Sequence, residues 1–320
     1  MWNCQGTLRA GAGVWIVANR KLSMQEIYNT PKYDLDPSIQ LPGAIRETSP
    51  CVTQDRMPRH FDDPPPVPRL PPRHFSVDDL QRGKPEAVFM PDNRLPIADS
   101  KSYPYSAICA LTIINQRGEK FYGSGFLAGP RLVLTAGHNV YYHSDGGFMK
   151  EIVVYPGLHL DYTAHQPRAV STSFSTVASW TLDANRQFDF GAIFLDADLT
   201  ASTGFLAVSK FKSEELQNMT VNLVGYPKDP PEGQGFPNDG STQWRASGRV
   251  AVAANQLTYG IDSSAGQSGS PLIAYFSETD AYHVVGIHNT AFPECNAATR
   301  FNDEVFSQIV RWRQKSDPAA

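Results

Sequence analysis

From about residue 104 onward the chain is cut into short apolar or β-branched runs separated by Gly, Pro, Asn and Asp, and this punctuation limits the fold more than any other feature. Residues 107–114, 121–127, 131–135, 151–155, 188–195, 220–224 and 283–287 are examples, each of strand length and each bounded by turn residues. Closely spaced short strands with turn signals between them lead to barrels or sandwiches, not to βαβ units, in which strands alternate with helical stretches. The chain is therefore expected to be all-β. One helix is predicted, near the C-terminal end. Asn302 or Asp303 can cap it, Val305, Phe306, Ile309, Val310 and Trp312 fall on one face, and Arg311, Arg313 and Lys315 sit where cations complement the helix dipole.

Ahead of the patterned region, residues 1–87 are polar and proline-punctuated, densest at Pro64-Pro65-Pro66-Val67-Pro68-Arg69-Leu70-Pro71-Pro72-Arg73. Such a run favours extended polyproline backbone without a packed core, as in a stiff linker or propeptide. Its proline spacing with a terminal Arg also suits an SH3-like groove. The apolar stretch 11–18 follows a single Arg9 and has no convincing small-residue cleavage site beyond it, which makes it a poor signal peptide. The expected organisation is 1–87 as a proline-rich N-terminal extension or propeptide, 88–200 as a first compact unit, and 201–320 as a second that ends in the helix.

With 320 residues, 41% of them hydrophobic and 19% charged, the chain can bury a sizeable core. Its 28 Lys and Arg against 32 Asp and Glu leave no basic excess for a nucleic-acid partner, and no apolar run of about 18 residues is present to span a membrane. Cys4, Cys51, Cys109 and Cys295 are too few and too scattered for a disulfide framework. Cys109 and Cys295 read equally well as a pair or as two separate thiols. His60, His74, His143, His159, His165 and His283 read as solvated, surface or strand residues. Asp161 between His159 and His165 fits no tight ligand spacing, and Asp145-Gly146-Gly147 reads as a turn, so neither a metal nor a phosphate-bearing cofactor is expected.

Three segments carry chemistry when read together: Thr135-Ala136-Gly137-His138 after an apolar run, Asp189-Phe190-Gly191-Ala192-Ile193, and Gly266-Gln267-Ser268-Gly269-Ser270-Pro271. A serine hydroxyl is a poor nucleophile at neutral pH. Acyl transfer through it needs a neutral imidazole to take the proton and a carboxylate to fix that imidazole's tautomer. The order His138, Asp189, Ser268, at spacings of domain size and beside apolar runs that would hold each group rigidly, fits that need. Glycines on both sides of Ser268 allow a tight turn whose N–H groups point at a developing oxyanion.

These segments resemble the chymotrypsin-fold serine proteases, and within them the bacterial glutamyl endopeptidases. The resemblance runs from about residue 88 to 312 and extends to Pro104-Tyr105, Gly225-Tyr226-Pro227, Tyr259-Gly260-Ile261-Asp262-Ser263 and Val285-Gly286-Ile287-His288. With the strand pattern it implies two six-stranded antiparallel β-barrels with the active site in the cleft between them, His138 and Asp189 from the first and Ser268 from the second. It implies a serine endopeptidase acting on protein or peptide substrates without a cofactor. Ser268 is then the nucleophile, His138 the general base, Asp189 its orienting carboxylate, and the N–H groups of Gly266 and Ser268 the oxyanion hole. It also implies a propeptide ahead of a mature domain beginning near Val88. Gln267 stands where trypsin-like zymogens hold an Asp that pairs with a new N-terminus, and a neutral Gln cannot make that pair.

The same resemblance gives Ser263 and His288 as receivers of a substrate Glu carboxylate, so cleavage after Glu or Asp is expected. Asp262, six positions before Ser268, keeps a trypsin-like preference for Arg or Lys open as the alternative. Asn289 is expected to border the substrate pocket. Asn289-Thr290-Ala291 replaces the glycine that relatives carry soon after the histidine, and so adds bulk there. Relatives often have a disulfide beside the catalytic histidine, and its two positions correspond here to Gly123 and Asn139. From other classes, an inactive protease-fold protein that binds partners through the proline-rich run, and an esterase or transacylase using the same three residues, remain as alternatives.

Overall fold

The computed structural model describes residues 14–17, 20–23, 88–89, 91–145, 147–160, 167–231, 235–237, 239–276, 281–292 and 294–317. The proline-rich run 64–73, His60, His74, Asp161, His165, Gly146, Cys4 and Cys51 lie outside them. Within the N-terminal stretch, Val14–Val17 and Arg20–Ser23 pair as a two-stranded antiparallel hairpin.

Two sheets make up the body, and each closes into a barrel by the same device. In the first sheet Ile108–Ile114 pairs with Lys120–Gly129 and with Glu151–Pro156, Lys120–Gly129 with Leu132–Thr135, and Leu132–Thr135 with Gly191–Phe194. The two edges of this seven-stranded order are Ala169–Ser171, on Glu151–Pro156, and Ser173–Thr176, on Gly191–Phe194. Only Thr172 separates them, so one continuous segment changes partner at that residue and joins the edges. The Ser171 hydroxyl stitches the corner by donating to the Phe194 carbonyl at 2.6 Å. A closed barrel leaves no long open edge.

The second sheet repeats the pattern. Trp244–Arg249 pairs with Thr220–Gly225, and after Val250 the chain continues as Ala251–Val252 on Gln256–Tyr259. Cys295–Arg300, Ala281–Phe292 and Pro271–Phe276 complete the circuit back to Thr220–Gly225. Each barrel thus has six strands, with the second extended at its rim by Leu95–Pro96 and by Ala207–Val208. Among the described residues all pairings are antiparallel except that of Ala207–Val208 with His283 and Val284.

Each terminal segment of this body packs on the barrel to which it is not adjacent in sequence. Residues just after 88 lie on the second barrel, where Leu95–Pro96 pairs with Trp244 and Arg245. The helix Asp303–Ser316 follows the second barrel in the chain but covers the first. Trp312 lies 5.3 Å from the Phe190 ring and donates its indole N–H to the Ser175 hydroxyl, and Arg313 stacks over Phe205. Asn302 is the N-cap, its side chain accepting from the Val305 N–H at 3.0 Å. Val305, Phe306, Ile309, Val310 and Trp312 are all buried in the same apolar cluster as Leu132, Leu134 and Ile193. Burying each such side chain contributes about 1.5–3 kcal/mol, and this fixes the helix far more firmly than its propensity.

The cysteine question is answered for two of the four. Cys109, in the strand Ile108–Ile114, and Cys295, opening Cys295–Arg300, are separate, free and buried. Burial pushes both thiols up, that of Cys295 to about 11, so neither is a ready thiolate. Among the described residues no helix is long and apolar enough to cross a membrane.

Candidate active site

The strand Leu132–Thr135 runs out of the first barrel into a single helical turn, Gly137–Asn139, which carries His138. Asp189 follows another short turn, Arg186–Phe188, just before the strand Gly191–Phe194. These two strands are neighbours, with Thr135 opposite Gly191, so their ends bring the two side chains together. His138 Nδ1 lies 2.7 Å from Asp189 Oδ2, and the His138 backbone N–H donates to Oδ1 at 2.8 Å. Asp189 is 2% exposed, while the His138 side chain is 22% exposed and so open to a substrate. A carboxylate held from two sides in this way fixes the ring's orientation and leaves the proton on Nδ1.

Ser268 sits in a turn ahead of the strand Pro271–Phe276. Gly266 and Gly269 on either side hold left-handed φ values of 98° and 93°, and a Cβ at Gly269 would come within 2.0 Å of the Ser124 carbonyl oxygen. Nearby N–H groups are committed: Gln267 donates to Ser264, Gly269 to His288 and Ser270 to Gln267. The first barrel reaches across to this turn. Ser124 N–H and Asn139 Nδ2 both donate to the Ser268 carbonyl, at 2.9 and 2.8 Å, and the Ser124 hydroxyl donates to the Gly266 carbonyl at 2.8 Å. The sequence marks Asn139 only as the position of a relative's cysteine and Ser124 not at all, because nothing in the local pattern reveals a contact made across 129 or 142 residues.

The expected pocket residues divide. Ser263 and His288 are both fully buried, and the Ser263 hydroxyl and His288 Nε2 have no hydrogen-bond partner. His288 Nδ1 lies 2.7 Å from the Tyr259 hydroxyl. Burial first, and the nearby His138 second, push the His288 imidazole down to about 3, so the ring is neutral. Asp262 points elsewhere: its oxygens accept from the backbone N–H groups of Phe89 at 2.6 Å and Asn93 at 2.8 Å. Burial holds its carboxyl above the usual range, opposed by those two hydrogen bonds. Asn289, expected to border the substrate pocket, turns its side chain toward the Asp189 loop. The register slips between His288 and Thr290, and the Asn289 amide turns to the Asp189 carbonyl at 2.9 Å and Thr299 Oγ1 at 2.8 Å, so it braces the Asp189 loop.

Known proteins are similar over most of this region. The chain is 29% identical over 240 residues to a glutamyl endopeptidase of Bacillus licheniformis, which covers 72% of this chain and 70% of that protein. A solved structure described as a Glu endopeptidase in complex with MPD superposes with a TM-score of 0.62 at 26% identity, over 71% of this chain and 99% of that one. The chain is a serine-type endopeptidase of the chymotrypsin fold, similar to the glutamyl endopeptidases.

This protease is also 29% identical over 235 residues, 73% of its length and 72% of the relative's, to a Bacillus subtilis protein named extracellular metalloprotease. Among the described residues no group of three or more His, Cys, Asp or Glu side chains is placed to hold a metal ion. The protease Anisep of Arthrobacter nicotinovorans shares the fold, with a TM-score of 0.53 at 14% identity, over 71% of this chain and all of that one. No family model matches the chain.

Proposed function

We propose that this endopeptidase hydrolyses peptide bonds through Ser268, His138 and Asp189, and that it cleaves after Glu and, more weakly, Asp. The His138–Asp189 pair carries the first part, together with a Ser268 turn that the first barrel holds by two hydrogen bonds to one carbonyl. Ser268 Oγ attacks the substrate carbonyl as His138 takes its proton. His138 then returns that proton to the leaving amine, while Asp189 stabilises the imidazolium, and a water deprotonated by His138 cleaves the resulting acyl-enzyme to release the acid and restore Ser268. Gly266 and Ser268 N–H groups receive the oxyanion, a role the intervening Gln267 N–H and the following Gly269 N–H cannot share because carbonyls already hold them.

The acidic preference rests on one observation: Ser263 Oγ and His288 Nε2 are buried polar atoms without partners, a condition that a bound carboxylate would relieve. His288 is neutral, so its contribution is a hydrogen bond and not a charge. With the Tyr259 hydroxyl, 2.7 Å from Nδ1, as the donor of that bond, the ring proton lies on Nε2, the form that can donate to a carboxylate. Asp262 does not support the Arg or Lys alternative, since both its oxygens are occupied by backbone N–H groups.

Profiling matched peptides with Glu, Asp, Gln or Arg before the scissile bond tests the reading. Glu is expected to lead, and His288→Val to reduce cleavage after Glu far more than after Gln. An Arg preference, or an equal loss for Glu and Gln, would overturn the acidic assignment while leaving the endopeptidase intact.

A further inference from the structure

Asn139 follows His138 directly in the turn Gly137–Asn139 and is buried. Its amide nitrogen makes two hydrogen bonds, 2.8 Å to the Ser268 carbonyl and 2.9 Å to Thr135 Oγ1. Chemistry fixes which end of the carboxamide faces these atoms. A carbonyl can only accept, and the Thr135 hydroxyl has already given its proton to the Ser124 carbonyl at 2.7 Å, so both partners require a donor. Asn139 therefore uses both of its N–H bonds here, one within its own barrel and one on the nucleophile's backbone in the other.

The peptide between Ser268 and Gly269 is thus gripped at both ends. Its oxygen accepts from Asn139 Nδ2 and Ser124 N–H, both of the first barrel. Its nitrogen, that of Gly269, donates at 2.7 Å to the His288 carbonyl of the second barrel. Gly123 gives the carboxamide its space, because a Cβ there would lie 2.7 Å from Asn139 Nδ2 and 3.0 Å from its Cγ. Any side chain at 123 would displace the group that reaches Ser268.

We propose that Asn139 is a positioning residue for catalysis: its carboxamide ties the backbone of Ser268 to the turn bearing His138, and so sets the approach of nucleophile to base across the barrel interface. At positions 123 and 139, where relatives often have a disulfide, Gly123 instead leaves room for the Asn139 carboxamide, which reaches across to Ser268. The inference rests on the reading of Ser268 as nucleophile and His138 as base. Small misplacement of reacting groups can cost on the order of 100-fold in rate without weakening substrate binding.

The test compares the full-length wild type with Asn139→Asp, which keeps shape but turns an oxygen toward the Ser268 carbonyl. Titrating reactive sites with a fluorophosphonate counts folded, competent molecules, and kcat is then expressed per titrated site. Asn139→Asp is expected to lower kcat per site by roughly 10- to 100-fold with KM changed less than about threefold. A merely structural role would lower the thermal midpoint and the number of sites but leave kcat per site unchanged, and that result would overturn the inference. Should Asn139→Asp not fold, Thr135→Val carries the test, since it removes the acceptor that orients the carboxamide. A smaller loss in kcat per site is expected, and none would be contrary. Wild-type label found away from Ser268 would sink the nucleophile assignment and this inference with it; label at Ser268 with unchanged kcat per site sinks this inference alone.

Discussion

Asp262 and Phe89, 173 residues apart in the chain, are joined by a 2.6 Å hydrogen bond from the Phe89 backbone N–H to the Asp262 carboxylate. A second bond, from Asn93 N–H at 2.8 Å, takes the other oxygen. Close by, the buried Arg94 reaches Ser264 Oγ at 2.5 Å and pairs with Asp92. The residue that the sequence leaves open as a specificity determinant for basic side chains is an anchor for the segment that begins the body of the protease.

Asp262→Ala should therefore act on stability. It removes the acceptor of two part-buried N–H groups, one of them on the exposed Asn93, so the thermal midpoint is expected to fall by a few degrees. The ranking of substrates by the residue before the scissile bond should stay the same. An unchanged midpoint, or disappearance of an Arg-directed activity, would show that the carboxylate serves the pocket instead.

The hydroxyl of Tyr259 offers a sharper handle on the pocket than His288 itself. Tyr259→Phe deletes the 2.7 Å contact to Nδ1 and frees the ring to adopt the tautomer with a bare Nε2. Cleavage after Glu is expected to lose about tenfold or more in kcat/KM, with cleavage after Gln much less affected. Steady-state kinetics on the Glu and Gln pair would decide it. Parallel losses on both substrates would mean that Tyr259 only fills space.

Much of this could be read from residues alone, and the rest fails for identifiable reasons. The segments that hold His138, Asp189 and Ser268 stand out because each adjoins an apolar run that forms a barrel strand, and the helix Asp303–Ser316 because Asn302 caps a one-sided apolar stripe. The strand Cys295–Arg300 does not, since Cys-Asn-Ala-Ala-Thr-Arg has little β-propensity and owes its conformation to burial between Gln256–Tyr259 and Ala281–Phe292. Nor does any local signal mark Thr172 and Val250 as the residues where a strand changes partner, because closure depends on contacts far away in sequence. The turn of the Asn289 side chain toward Asp189 is not legible either, because a bulge redirects it and bulges are invisible to a period-two pattern.

Acid should weaken the protease through two buried histidines. His288 is pushed down to about 3 and His283 to about 4, both mainly by burial. The unfolded chain takes up protons on both near pH 6.5, whereas the folded protein does not until much lower. The stability contributed by keeping them neutral is complete above about pH 6.5 and drains away as pH falls toward 3. Thermal midpoints measured between pH 8 and 4 should decline below about 6.5, and His283→Gln should flatten part of that slope. A midpoint insensitive to pH across this window would contradict the burial of neutral imidazoles.

The claim on which everything else depends is that Ser268 is the nucleophile, and covalent capture tests it most directly. The intact protein is treated with a fluorophosphonate and the modified peptide is mapped by mass spectrometry, alongside Ser268→Ala. The expected result is one adduct, on Ser268, formed in step with loss of peptide hydrolysis, and a folded, unlabelled variant whose turnover is lower by on the order of 10⁶. An adduct on any other residue, or a Ser268→Ala protein that still cleaves peptides at the wild-type rate, would contradict it.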